Sequence, residues 1–212
     1  MLLLSDPRVG AVPVQDNGEP LVDLRPDLRV DARRASTSGA FAYVRRGLRD
    51  RLIRAQSALP AGAYLLVVEG WRPMPVQVEY FRDYEAKVRA AMPDVPPEEV
   101  RVAASAYVSP PEVAPHPTGG AVDLTLCDGD GIELDMGTAL NATPLASDNA
   151  CYTAASGLEP QAQRNRSLLV ATLLRAGLVN YPTEWWHWSY GERYWALATG
   201  APMACYAERA GP

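Results

Sequence analysis

Residues 184–188 read Glu-Trp-Trp-His-Trp and bring a carboxylate, an imidazole and three indoles together in five positions. The chain has only two histidines, and His187 is the second of them. The first, His116, lies in residues 114–123, Ala-Pro-His-Pro-Thr-Gly-Gly-Ala-Val-Asp, which also contain an acid. Because each histidine has a carboxylate nearby, we expect the two segments to come together around one metal ion.

The composition is that of a globular protein. Of the 212 residues 48% are hydrophobic and 21% are charged, which is enough to bury a substantial core, and we interpret residues 1–212 as one domain. The net charge of −5 argues against a nucleic-acid partner, which would require a basic patch. The apolar residues 1–4 are followed at once by Ser-Asp-Pro, so we predict neither a signal peptide nor a membrane span.

The three cysteines, Cys127, Cys151 and Cys205, are far apart and odd in number. They form no CxxC pair of the kind that binds zinc, and their spacing does not indicate a disulfide framework. We therefore predict buried, reduced thiols in a cytoplasmic protein.

The first part of the chain alternates between irregular and regular patterns. Four prolines punctuate residues 1–35, which we interpret as loop with short strands. Apolar residues at spacings of three and four then predict an amphipathic helix that begins at a Ser/Thr cap in residues 36–38 and ends near Pro60. The continuous apolar run 64–68 predicts a buried strand.

Two more helices are expected before the histidine segment. One begins at Pro75 and ends near Pro93, and a shorter one runs from Pro96 to about Tyr107 because proline and acids favour a helix N-terminus.

The second half predicts fewer regular elements. Residues 121–126 alternate as a strand does, and the polar residues 127–158 form a long loop of a length that is commonly functional. A helix over 166–178 follows, and residues 184–206 have the pattern of a hairpin with its turn at 190–192. Helices and strands come in clusters, which indicates an α+β fold with a small antiparallel sheet flanked by helices.

His116, Asp123 and His187 form a candidate zinc set of two nitrogens and one carboxylate oxygen. A catalytic zinc site needs three protein ligands and one open position. The Gly-Gly pair at 119–120 gives the backbone freedom to bring the first two side chains together. The alternative is an exposed His116 in a loop and a His187 that belongs only to the core.

Glu184 is the candidate general base, because a carboxylate beside the metal can take a proton from water and pass it to a leaving amine. Residues three apart in an ideal strand face opposite ways. Glu184 and His187 therefore share a site only if the strand begins after Glu184 or bulges between the two.

Arg72 follows the apolar run 64–68 and is a candidate to bind a substrate carboxylate or an oxyanion. The alternative is a structural salt bridge with Glu69 or Asp83. Glu69 is also a candidate partner for a substrate ammonium.

These residues lie in blocks that resemble the VanX-type D-alanyl-D-alanine dipeptidases of the zinc D,D-peptidase family. Residues 69–73, Glu-Gly-Trp-Arg-Pro, are similar to the family's D/E-G-Y/W-R-P. Residues 116–126 are similar to H-x-x-G-x-A-x-D-L-T-L, residues 184–187 to E-W-W-H, and residues 136–138 to M-G-T.

The resemblance implies His116, Asp123 and His187 as ligands of one Zn²⁺ per chain, Glu184 as the catalytic base, and Arg72 as the residue that stabilises the transition state or holds the substrate. It implies a hedgehog/D,D-peptidase-like fold. The implied reaction is hydrolysis of the small substrate D-Ala-D-Ala to two D-alanines.

The chain departs from the family pattern at five positions, two of which are the prolines at 115 and 117. Ala114 stands where the family usually has serine, and Leu140 and Asn141 replace its usual phenylalanine and aspartate. These changes leave the metal set and the base intact, so they bear on substrate preference.

Two other functions compete with the dipeptidase. A peptidoglycan D,D-carboxypeptidase or L,D-endopeptidase of the same family acts on long cell-wall stems and usually needs export or a wall-binding module. A non-catalytic, zinc-stabilised binding module would have no need of Glu184 and Arg72. The sequence leaves the oligomeric state open.

Overall fold

The computed structural model describes residues 1–32, 38–105 and 107–212. Six α-helices and seven strands make up its regular structure in this part of the chain. The helices are α1 (Pro7–Ala11), α2 (Arg46–Ala58), α3 (Met74–Ala91), α4 (Pro97–Ser105), α5 (Pro160–Arg175) and α6 (Arg193–Thr199). The strands are β1 (Leu21–Asp23), β2 (Arg29–Val30), β3 (Tyr43–Arg45), β4 (Tyr64–Glu69), β5 (Ala121–Cys127), β6 (Val179–Asn180) and β7 (His187–Ser189).

The main sheet has five strands in the order β2-β4-β5-β7-β6. All of its neighbours are antiparallel except β2 and β4, which are parallel. A separate antiparallel pair joins β1 to β3. The predicted α+β class, with a small sheet flanked by helices, is confirmed, and the parallel edge pair is the one feature of the sheet that differs from the antiparallel prediction.

The two central strands are buried because helices cover one face and the site covers part of the other. Every residue of β5 is buried, and β4 is buried from Leu65 onward. The largest cluster of buried side chains contains Leu48 and Leu52 of α2, Leu169 and Leu173 of α5, and three tryptophans just before or within β7. Trp185, Trp186 and Trp188 are each at most 1% exposed, so the sheet and the segment 184–188 share one core.

The periodicity predicted α3 and α4 correctly, but it placed the start of α5 six residues late, at 166 instead of Pro160, and the start of α2 too early. Residues 40–42 form a 3₁₀ turn and β3 pairs with β1, so α2 begins only at Arg46. The predicted cap at Ser36 and Thr37 lies outside the described residues. No helix in the described ranges is long and apolar enough to cross a membrane.

The predicted hairpin over 184–206 is wrong. The strand β7 ends at Ser189, and Glu192 then caps α6 by accepting hydrogen bonds from the backbone N–H groups of Tyr194 and Trp195, at 2.6 and 2.7 Å. The partners of β7 are instead β5 and β6. The helix α1 lies within residues 1–35, which were predicted to be loop with short strands.

The long loop predicted over 127–158 contains no helix or strand after Cys127, and Arg166 of α5 holds it in place. The buried guanidinium donates to the carbonyls of Met136, Ala150 and Tyr152, each at 2.7 Å. Burial lowers the pKa of Arg166 to about 10. Three loop carbonyls on one planar cation fix the path of the loop beside the segment 184–188.

Gly119 ends the turn that carries His116. Its backbone conformation and close neighbours predict that a side chain at this position would lower the stability of the fold. Its φ is +70°, and an added Cβ would lie 2.4 Å from Leu21 Cδ2 and 3.3 Å from the backbone N of Arg45. We expect Gly119→Ala to lower the free energy of unfolding by about 2–4 kcal/mol, from left-handed strain and overpacking together. Urea unfolding followed by tryptophan fluorescence measures this.

Gly18→Ala is the matched control, since Gly18 has a φ of +75° and open space around it. It should lose only about 1 kcal/mol, the cost of the backbone conformation. Equal losses for the two variants would contradict the close packing described for Gly119.

Candidate active site

Three side chains that can ligate a metal come together at the centre of the main sheet. One ligand atom from each of His116, Asp123 and His187 lies within 4.8 Å of the other two. All three side chains are buried, with 4–5% of each residue exposed. The structure therefore brings together the three residues that the sequence proposed as a metal set.

A short turn between two prolines positions His116. Residues His116–Thr118 form a 3₁₀ turn that ends at Gly119. The His116 Nδ1 atom lies 2.7 Å from the carbonyl of Gly70, to which it donates. This leaves Nε2 facing Asp123, with 3.4 Å between Nε2 and Oδ1. The alternative of an exposed loop histidine is wrong, since the packing of this turn buries His116.

The pairing of β5 with β7 positions the other two residues. Asp123 is the register partner of His187, and its Oδ1 lies 2.9 Å from His187 Nδ1. Burial acts to raise the pKa of Asp123, but the charges and hydrogen bonds of His116 and His187 outweigh it and hold that pKa well below its usual value. Asp123 is therefore an anion at neutral pH, the form that a metal requires.

The donor set and its spacing fit a zinc ion. Tetrahedral zinc with ligands at about 2.0–2.1 Å has ligand atoms about 3.3 Å apart. The separations of Asp123 Oδ1 from the two imidazole nitrogens, 2.9 and 3.4 Å, are close to this spacing. The Gly70 carbonyl also fixes the tautomer of His116 that leaves Nε2 as a ligand, a support that zinc-binding histidines commonly have.

Glu184 lies in a turn immediately before β7. The backbone N–H of His187 donates to the Glu184 carbonyl at 3.2 Å, and the strand begins only at His187. This turn allows both side chains to line one cavity, which removes the conflict expected for an unbroken strand. Burial raises the pKa of Glu184 to about 7, although His187 and Arg72 oppose the rise.

Arg72 lines the same cavity and is held from behind by Glu69. Its Nε and Nη2 atoms donate to the two carboxylate oxygens of Glu69, at 2.7 and 2.8 Å, and its Nη1 donates to Gln77 at 2.7 Å. The salt bridge weighed for Arg72 is thus formed with Glu69, and not with Asp83. A guanidinium has five N–H donors, so two remain for other partners.

Glu69 holds Arg72 in this arrangement. Both of its oxygens accept hydrogen bonds from Arg72, and it is 6% exposed. Burial acts to raise the pKa of Glu69, but Arg72 outweighs it and keeps the carboxylate ionised. The contact of Glu69 with a substrate ammonium stays a prediction.

A cavity of about 350 Å³ lies in front of these groups. Sequence reasoning missed several of the residues that line it, which come mainly from one face of α3 and from the loops opposite. They are Leu4, Gln77, Tyr80, Asp83, Tyr84, Lys87, Tyr107, Val108, Ser109, Pro115, Asn141 and Tyr181. The spacing of three and four between the polar and aromatic members on α3 is a signal that could have identified this face.

Comparison with known proteins finds similarity over most of the chain. A family model described as peptidase M15, D-Ala-D-Ala dipeptidase, matches residues 30–205. A D-alanyl-D-alanine dipeptidase of Synechocystis is 30% identical over 220 aligned residues, which cover 88% of this chain and 87% of the relative. A D-alanyl-D-alanine dipeptidase of Escherichia coli is 40% identical over 72 residues, which cover 34% of this chain and 35% of the relative.

Among solved structures, the fold is similar to that of the vancomycin-resistance D,D-pentapeptidase VanY from a VanB-type cassette, a variant of which was solved in complex with Zn(II). The TM-score is 0.50, the identity is 17%, and the match covers 91% of each chain. At this identity the similarity concerns the fold.

The raised pKa of Glu184 predicts a pH-dependent stability for the metal-free protein. Because that pKa is about 7 in the folded state and ordinarily 4.5, the folded protein binds more protons than the unfolded chain between these two values. Its stability should therefore fall as pH rises through this window. Across this window we expect the free energy of unfolding of Glu184→Gln to decrease by on the order of 2 kcal/mol less than that of the wild type.

The measurement is urea unfolding of chelator-treated protein at several pH values between 4.5 and 8, with the exposed Glu208→Gln as control. If the free energy of unfolding of Glu184→Gln depended on pH as steeply as that of the wild type, the raised pKa of Glu184 would be contradicted.

Proposed function

The chain belongs to the peptidase M15 family of D-Ala-D-Ala dipeptidases, and from this membership we propose that it is a zinc-dependent dipeptidase that hydrolyses D-Ala-D-Ala or a similar D-amino-acid dipeptide. The observation that carries the proposal is the presence, in one cavity, of the set His116, Asp123 and His187 together with Glu184 and Arg72. A metal set alone is compatible with a structural role. A carboxylate and a guanidinium that line the same cavity are the groups that hydrolysis requires.

In this proposal one zinc ion per chain is held by His116 Nε2, Asp123 Oδ1 and His187 Nδ1. When bound, zinc polarises a carbonyl oxygen and lowers the pKa of water, so that a nucleophile is available at neutral pH. The chain fixes these three atoms through the Gly70 carbonyl and the pairing of β5 with β7.

Glu184 acts as the general base and then as the general acid. Its carboxylate takes a proton from the attacking water and delivers that proton to the leaving amine of the second residue. A group that carries out both transfers near neutral pH works best with a pKa near 7, and burial raises the pKa of Glu184 to about 7. The buried tryptophans of the segment 184–188 exclude water behind this carboxylate.

Arg72 stabilises the negative charge that develops on the scissile carbonyl oxygen. Its guanidinium is preorganised by Glu69 and Gln77, so its orientation needs no adjustment during the reaction. A fixed donor at a developing oxyanion is among the largest contributions to catalysis. Glu69 contributes by holding Arg72.

Two alternatives differ from the dipeptidase in ways that can be measured. A D,D-carboxypeptidase or L,D-endopeptidase would prefer long cell-wall stems, whereas both relatives are named as dipeptidases. A zinc-stabilised binding module is disfavoured by membership in a peptidase family.

A single domain over residues 1–212 and a cytoplasmic location stay predictions.

The direct test is a zinc assay combined with release of free alanine. We expect about one zinc per chain and release from D-Ala-D-Ala but not from L-Ala-L-Ala. Glu184→Ala should keep zinc and lose about 10³-fold in kcat, because it removes the base and no ligand. His187→Ala should lose both zinc and turnover.

Each other result has a defined meaning. Protein without zinc would contradict the metal site, and zinc without release would favour the binding module. Release unaffected by Glu184→Ala would contradict Glu184 as the base. Activity on muropeptides alone would favour the carboxypeptidase or endopeptidase.

The role of Arg72 predicts a selective effect of a conservative change. Arg72→Lys keeps a positive charge but loses the paired contacts with Glu69 and the fixed donor. We expect kcat to fall about 10²-fold with little change in KM, because the lost interaction forms mainly in the transition state.

The measurement is steady-state kinetics of zinc-loaded protein on D-Ala-D-Ala. A rise in KM at constant kcat would contradict this role and assign Arg72 to the binding of the ground state.

A further inference from the structure

We propose that Asp83 and Lys87 of α3 recognise the two charged ends of a free dipeptide, an inference that rests on the proposed function. Asp83 would contact the ammonium and Lys87 the carboxylate. The enzyme would thus read its substrate as a short zwitterion, which is how it would distinguish a free dipeptide from the end of a longer chain.

The charged groups of the cavity lead to this pair by elimination. Three carboxylates line the cavity, Asp83, Asp123 and Glu184. Asp123 belongs to the metal set and Glu184 is the proposed base, so Asp83 is the lining carboxylate that the mechanism does not use. A substrate ammonium in a partly enclosed site needs a negative partner, because transfer from water costs free energy that an opposite charge offsets.

The same elimination among the positively charged groups of the cavity leads to Lys87. Arg72 and Lys87 line the cavity, and the charge of Arg72 is balanced by the two contacts from Glu69. Lys87 makes no ion pair or hydrogen bond with any residue in the described ranges. It is also the only lysine of the chain, in which every other permanent cation is an arginine.

The helical geometry places both groups on the same side of the cavity. Asp83 and Lys87 are four residues apart within α3, so their Cβ atoms are about 6 Å apart on one face. They do not pair with each other, although this spacing permits it. Side chains on a helix tilt toward its N-terminus, which in α3 is the end that follows Arg72. The flexible stem of Lys87 therefore extends toward the site.

The remaining lining supports a small substrate with charged ends and apolar sides. Tyr80, Tyr84, Tyr107 and Tyr181 surround the cavity, and Tyr84 and Tyr107 pack with ring centroids 5.1 Å apart. The Tyr107 hydroxyl donates to the Asn141 carbonyl at 2.8 Å, which joins the long loop to the tyrosine that packs against α3. Asn141 is neutral, so it leaves the recognition of an ammonium to Asp83.

The test uses substrates that lack one charge at a time. Zinc-loaded wild type, Asp83→Asn and Lys87→Gln are compared on D-Ala-D-Ala, on N-acetyl-D-Ala-D-Ala, and on the amide of D-Ala-D-Ala. We expect each variant to raise KM for D-Ala-D-Ala about tenfold with kcat nearly constant, since a charged hydrogen bond of the ground state is lost. Asp83→Asn should leave KM for the N-acetyl substrate unchanged, because that substrate lacks the ammonium. Lys87→Gln should leave KM for the amide unchanged, because the amide lacks the carboxylate.

Glu85→Gln and Arg89→Gln are the matched controls, because they remove like charges from α3 at positions that do not line the cavity. Both should behave as wild type. An unchanged KM in Asp83→Asn and Lys87→Gln would overturn the proposed roles of these two residues. So would an equal rise in KM on D-Ala-D-Ala and on the substrate that lacks the matching charge. Neither result would contradict the dipeptidase activity.

A binding measurement separates failure of this inference from failure of the proposed function. Calorimetric titration of D-Ala-D-Ala into zinc-loaded Glu184→Gln needs no turnover, and adding Asp83→Asn or Lys87→Gln should weaken binding about tenfold. If wild type releases no alanine, the dipeptidase proposal fails. If Glu184→Gln binds the dipeptide equally well with and without the added Asp83→Asn or Lys87→Gln change, or does not bind it, the proposed roles of Asp83 and Lys87 are contradicted as well.

Discussion

The candidate active site depends on one contact, the pairing of Asp123 in β5 with His187 in β7. Their 2.9 Å approach follows from an antiparallel register in which the two residues lie directly opposite. A slip of one residue would turn one of these side chains to the other face of the sheet. The register is held by Trp188, which is fully buried. The hydrophobic core and the metal set are therefore specified by the same pairing.

The strand on the other side of β5 holds two further residues of the candidate site, Arg72 and His116. Glu69 is the register partner of Asp123 in β4, at a shift in the pairing between Val67 and Glu69. From there Glu69 holds Arg72, and the Gly70 carbonyl holds His116. Glu69 and Asp123 carry like charges, and the Arg72 guanidinium attracts both, which lowers the cost of burying the two carboxylates close together. Burial raises the pKa of Glu184 because it outweighs the opposing effects of His187 and Arg72.

Much of the site was predictable because its residues lie at the ends of strongly patterned segments. The apolar run 64–68 identified β4, and Arg72, which follows that strand, lines the cavity. The final hairpin was wrong because the polar contacts of Glu192, which begin α6, outweigh the strand-like composition of the surrounding residues. The face of α3 was missed because Asp83 and Lys87 resemble an ordinary solvated pair until the fold places the metal set in front of them.

The central claim is that His116, Asp123 and His187 bind one zinc ion beside Glu184. Diffraction from crystals of the zinc-loaded protein, collected on both sides of the zinc absorption edge, tests it most directly. The account predicts a single anomalous peak bounded by His116 Nε2, Asp123 Oδ1 and His187 Nδ1, at about 2.0–2.2 Å from each, with Glu184 outside the ligand set. A peak at a cysteine, a peak with Glu184 as a ligand, or no peak at this position would contradict it.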